Sequence, residues 1–234
     1  MSSAEIHILS TRPLPETLID EAARHGILIE TQAFILTEPV NDEDMRQRVR
    51  ALGQQRLAAI FTSMNAVEAV REWTGRADWD IFCIGLATRR LAEAYFGPGS
   101  IAGTAESAKA LAEVIIRENP GREVHFFCGN QRRPELPGVL KQAGLIIHEL
   151  VVYHTISNPV RTERSYDGIA FFSPSAVDSY FSVNTVSAGA TLFAIGWTTA
   201  EAIRVYSANP LIVSGQPDKE KLIHEMIDHF QTKK

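Results

Sequence analysis

Short apolar runs that end in a polar turn, each followed by apolar positions three and four apart, recur along the whole chain. IHILS (6 to 10) stops at Ser10-Thr11-Arg12-Pro13, and Leu18, Ile19, Ala22 and Ala23 then recur at helical spacing until His25-Gly26 closes the helix. ILIETQAFIL follows as the next strand, and NDEDMRQRVRALGQQR (41 to 56) as a helix with an acidic first turn, which suits the positive end of a helix dipole. Beyond it, LAAIF, DIFCIG and SIAGTA each lead into a further helical pattern, with Gly97-Pro98-Gly99 as a firm stop. Strands alternating with helices of this length predict an α/β fold in which parallel sheets are covered on both faces.

The same order then repeats. AAIFTSMNAVEAV (58 to 70) returns as GIAFFSPSAVDSYF (168 to 181), so that Phe61 falls on Phe171, Ser63 on Ser173 and Glu68 on Asp178, an offset of about 110 residues. VHFFCGN, ELPGVLKQAG and LIIHELVVYHT (124 to 155) repeat the opening strand, helix and strand at an offset of about 118, and TLFAIG (191 to 196) repeats DIFCIG. The difference between the offsets lies in the connection, where SNPVRTERSYDG is a loop in place of the helix over 41 to 56. In both copies a Ser stands where a strand meets a helix, and its hydroxyl suits an N-cap. Pro174 fits the first helical turn, and Thr198 with Glu201 forms a capping-box pattern. These turns fall at the carboxyl ends of parallel strands, where doubly wound sheets bind ligands and helix N-termini offer N–H groups to anions.

Composition narrows the classes. Twenty-three Lys and Arg against 28 Asp and Glu give a formal net charge of −5, which argues against a general nucleic-acid or membrane-surface binder, so an anionic ligand must be held locally. Cys83 and Cys128 sit in apolar runs without a CxxC pair and are expected as buried free thiols of a reducing compartment. The opening MSSAEIHIL has no basic stretch before a long apolar one, and no apolar run approaches the ~20 residues of a membrane span, which predicts a cytoplasmic location. GxGxxG, GxxxxGK[ST] and GxSxG are all missing from the sequence, and His224-Glu225 with His229 lacks the spacing of an HExxH zinc pair, so no metal site is expected.

Seven fragments in order resemble the uroporphyrinogen-III synthase family: Thr11-Arg12-Pro13, FTSMNAVEA (61 to 69), IGLAT (84 to 88), FFCGNQRRPELPGVLKQAG (126 to 144), VVYHT (151 to 155), FFSPSAV (171 to 177) and IGWTTAEAI (195 to 203). The resemblance implies two doubly wound, flavodoxin-like lobes, internally duplicated and joined by two extended linkers. One lobe takes 1–36 with 157–234, the other 37–156, and the active site lies in the cleft between them. It implies a monomeric lyase of porphyrin and haem biosynthesis that closes hydroxymethylbilane with inversion of ring D and loss of water, without a cofactor, in possible transient contact with the bilane-producing enzyme. Carried over, it makes Tyr153 the acid that helps hydroxide leave. Thr62, Ser63, Thr88, Ser173, Thr198 and Thr199 would hold substrate carboxylates, with Arg12 and Arg133 as charge partners. From the residues alone, each Ser or Thr is equally a helix cap and Tyr153 a strand aromatic. The same fold would also suit a bilobed small-molecule-binding or regulatory protein without activity.

Overall fold

The computed structural model describes residues 5–118, 121–216 and 218–232. The chain divides into two compact units, Met1–Leu36 with Ile156–Lys234, and Thr37–Thr155. The described strands, in chain order, are β1 (Ile6–Ser10), β2 (Ile27–Thr31), β3 (Ile35–Pro39), β4 (Leu57–Phe61), β5 (Trp79–Ile84), β6 (Ile101–Ala105), β7 (Glu123–Gly129), β8 (Ile146–Ser157), β9 (Gly168–Phe171), β10 (Thr191–Ala194) and β11 (Leu211–Val213). The helices are α1 (Glu16–Arg24), α2 (Glu43–Leu52), α3 (Met64–Thr74), α4 (Leu86–Phe96), α5 (Ala108–Glu118), α6 (Glu135–Gln142), α7 (Pro174–Phe181), α8 (Trp197–Tyr206) and α9 (Lys219–Thr232).

The first unit holds a five-stranded sheet in the order β11-β10-β9-β1-β2, with all pairs parallel. The second holds a six-stranded sheet in the order β3-β8-β7-β4-β5-β6, with β4, β5, β6, β7 and β8 joined by parallel pairs. Apart from the edge strand β3, the two orders are the same when the duplication is followed. Each unit takes the first two strands of one sequence copy and the last three of the other. Strand order reverses between β1 and β9 in the first unit and between β7 and β4 in the second, and such a reversal opens a crevice at the carboxyl ends of the strands.

Fully buried side chains explain the paired layers. Ile8, Ala170 and Phe193 pack with Leu18 and Ala22 of α1 and Leu222, Ile223 and Met226 of α9 on one face of the first sheet. Leu9, Ile169 and Phe171 pack with α7 and α8 on the other. The second sheet repeats this, with Phe61, Phe127 and Trp79 stacked against one another at 5.0 to 6.5 Å between ring centroids. Alternate residues of one buried strand thus face opposite layers, so β strands buried on both sides show near-continuous apolar runs.

Two local expectations are corrected. ILIETQAFIL is not one strand: the pairing of β2 ends at Thr31, Phe34 turns into the first unit's core against Tyr180, and β3 begins at Ile35 in the other sheet. Its counterpart in the second copy runs unbroken as the 12-residue β8. The Thr198–Glu201 capping box is not formed either, because α8 opens two residues earlier, with Gly196 as its cap and no side-chain cap bond.

Candidate active site

The carboxyl edge of the second sheet gathers four helix starts. Ser63 caps α3, its Oγ accepting the Ala66 N–H at 3.3 Å, and Ser107 caps α5 by accepting the Ala110 N–H at 3.2 Å. Gly85 precedes α4 with φ of 79°, a left-handed conformation that a side chain would oppose, and Pro134 precedes α6. Over these starts lies a cavity of about 400 Å³, bordered by Thr62, Ser63, Ser107, Arg132, Arg133 and Tyr153. Helix N-termini and arginines around one hollow make a place for carboxylates.

Tyr153 is half-buried and reaches into this hollow from β8. The Ser63 hydroxyl donates to Tyr153 Oη at 3.1 Å. Ser63 therefore acts twice, accepting from the helix and donating to the phenol. β8 is separated from β4 by β7, so the two side chains and the hydrogen bond between them bridge two strand spacings, about 10 Å. It does so over Gly129, where a Cβ would stand 2.5 Å from Cζ of the ring.

Arg132 is held to Glu149, which also accepts from Lys141 Nζ at 3.0 Å. Partial burial works against the charged Glu149, but the hydrogen bonds from Lys141 and Arg132 outweigh it and keep its pKa below the usual carboxylate range. Neither thiol is a nucleophile here, since burial pushes both Cys83 and Cys128 up to about 11.

Of the residues expected from sequence, the second unit brings Thr62, Ser63, Arg133 and Tyr153 together around one hollow. Thr88 stands apart from it, buried at the third position of α4. In the first unit, Arg12 follows β1 with its guanidinium 5.7 Å from the centre of the Phe172 ring, and Ser173 caps α7 by accepting the Ala176 N–H at 3.2 Å. Thr198 is exposed in the first turn of α8, and Thr199 beside it is buried. A second cavity, of about 300 Å³ near Arg161, Glu163 and Tyr166, precedes β9 and lies at the opposite, amino edge of that sheet. Sequence reasoning missed Arg132, Glu149, Ser107 and Gly129. Ser107 alone carried a local signal, a hydroxyl directly before the helical pattern of AKALAEVI.

Fold and hollow define a two-unit α/β protein whose second unit sets a tyrosine hydroxyl among helix starts and arginines. The chain matches the family described as Uroporphyrinogen-III synthase HemD over residues 16–224, and it belongs to that family. No curated protein matches it. A mutant uroporphyrinogen III synthase from the extremely thermophilic bacterium Thermus thermophilus is similar with a TM-score of 0.66 at 18% identity, covering 98% of this chain and 100% of that one. The uroporphyrinogen-III synthetase of Helicobacter pylori gives a TM-score of 0.65 at 13% identity, with 96% and 99% covered. At these identities the likeness is one of fold.

Proposed function

We propose that the chain carries its family's reaction through Tyr153 at the carboxyl edge of the second sheet. The family's activity is that of a cyclising lyase, which closes hydroxymethylbilane to uroporphyrinogen III with ring D inverted and water lost. The observation that carries the assignment is the hydrogen bond from Ser63 to Tyr153 Oη, because a phenol oxygen that accepts keeps its own proton to give. Tyr153 gives that proton to the terminal hydroxyl as its bond to carbon breaks. The azafulvene left behind is attacked by the substituted carbon of ring D, and the spiro intermediate opens and recloses with that ring turned over, the proton lost from the ring's free carbon on reclosure replacing the one Tyr153 gave. Left in water the bilane closes without inversion, so most of the protein's work is holding a flexible polyanion in one shape.

Thr62, Ser63 and Arg133, with Arg132, hold carboxylates in the second unit. Thr88, Arg12, Ser173, Thr198 and Thr199 serve the same purpose at their own strand ends. We also place the chain in the cytoplasm as a monomer that takes its labile substrate from the bilane-producing enzyme. Among the described residues no helix is long and apolar enough to cross a membrane.

The test couples the protein to bilane production and separates the oxidised isomers by chromatography. Type III product is expected. An isomer mixture equal to the enzyme-free control, with folded protein present, overturns the catalytic reading in favour of a binding protein that kept the fold. Tyr153→Phe should lower turnover by about 10- to 1000-fold with little change in product binding, since the donor acts as hydroxide leaves. Unchanged turnover removes Tyr153 from this role.

A further inference from the structure

We infer that Gly129 is a positioning residue, which leaves open the space through which Tyr153 reaches Ser63. The inference rests on Tyr153 as proton donor and goes on to what sets its place. Along β7 and β8 the pairing runs in step from Glu123 with Ile146 to Cys128 with Val151. It then skips Val152, so that Gly129 pairs with Tyr153. Such a bulge re-aims the side chain beside it. Here it turns Tyr153 across the end of β7 toward Ser63.

A Cβ at Gly129 would lie 2.5, 2.7 and 2.8 Å from Cζ, Cε2 and Oη of that ring. All three of its nearest neighbours are Tyr153 atoms. Gly129 does not adopt a positive φ, unlike Gly26, Gly75, Gly85, Gly97 and Gly144, so its backbone would accept a side chain. The glycine serves the ring. Nor can β8 simply back away, because Asn130 ties it at Tyr153 and again two residues on, at Thr155. The Asn130 N–H donates to the Tyr153 carbonyl at 3.2 Å, and Asn130 Oδ1 accepts the Thr155 N–H at 2.8 Å. With the backbone held, an added methyl group must swing the ring, and Oη leaves Ser63. Because the clash meets the far end of a side chain, the sheet itself should survive the change.

The experiment compares Gly129→Ala, Tyr153→Phe and the double variant for kcat, KM and melting temperature. Gly129→Ala should fold and keep its KM, with kcat lowered by about 10-fold or more, as for loss of an aligned donor. In the double variant the alanine should add no further loss to that of Tyr153→Phe, which a general structural role would not produce. Full turnover in Gly129→Ala overturns the inference, as does a loss that multiplies in the double variant. If Tyr153→Phe alone keeps full turnover, the proton-donor reading fails instead. Should Gly129→Ala not fold, Gly129→Ala with Tyr153→Ala must restore folding, and its failure to do so also overturns the inference.

Discussion

Apart from the edge strand β3, the two sheets have the same strand order but differ where the central strand ends. In the first unit that corner is closed by its own strand. Thr11, 1% exposed, sends its hydroxyl to the Ala170 carbonyl at 2.9 Å, and Arg12 beyond it covers Phe172. In the second unit the central strand ends in Gly129, which brings no side chain, and Tyr153 from the neighbouring strand occupies the corner. The duplicated framework supplies helix starts and caps to both corners. What differs is whether the corner is filled by a short hydroxyl bonded inward or by a long phenol that lines the hollow. On the proposed reading, the second corner is the one that gives a proton.

Ser63 and Ser173 test this contrast most sharply, because both cap a helix after the same apolar run but only Ser63 touches a phenol. Ser63→Ala and Ser173→Ala should each cost about 1 kcal/mol of stability, seen as similar drops in denaturation midpoint. Ser63→Ala should also lower kcat by about 2- to 10-fold, the worth of a hydrogen bond of roughly 0.5–1.5 kcal/mol. Equal kcat in the two variants would erase the distinction between the corners.

Thr11→Val keeps the shape of the first corner and removes its donor. The Ala170 carbonyl still accepts the Thr11 N–H at 3.0 Å, so the loss should be about 0.5–1.5 kcal/mol in stability, with kcat unchanged. A fall in kcat without a fall in stability would give Thr11 a part in the chemistry.

The smallest effect concerns acid. His125 of β7 stacks on His148 of β8 at 4.7 Å, and burial, with His148 and Arg48 adding to it and Glu123 opposing, holds its pKa below the usual 6.5. The unfolded chain takes up that proton first as pH falls. Stability present above 6.5 is therefore lost as pH drops from there toward the lower folded value. His125→Gln should flatten this part of the profile in melts taken across the range, and an unaltered profile would assign the acid sensitivity elsewhere.

Much of the framework was legible because it is local. Apolar runs and their turns gave the strands, and Ser63 and Ser173 showed their capping because that chemistry spans three residues. The break after Thr31 was hidden since Phe34 continues the apolar run while turning into a different layer. Thr198 and Glu201 matched a local pattern, yet the duplicate IGLAT, which has a glycine and no capping box, pointed to the glycine start that the helix adopts. The contact of Gly129 with Tyr153 had no such signal. It depends on a one-residue slip between strands, and the choice of Arg132 over Arg133 as the partner of Glu149 depends on the same strand pair.

The first unit's central strand also has to wait. β1 lies between β2 and β9, and the entire second unit is encoded between those two neighbours. At about 5–20 residues per second, the ribosome takes on the order of 10 s to make that intervening stretch. Once it is made, the second unit has all of its strands while β1 and β2 still lack the rest of their sheet. The inserted unit should therefore become resistant to proteolysis during synthesis before the β1–β2 segment that precedes it.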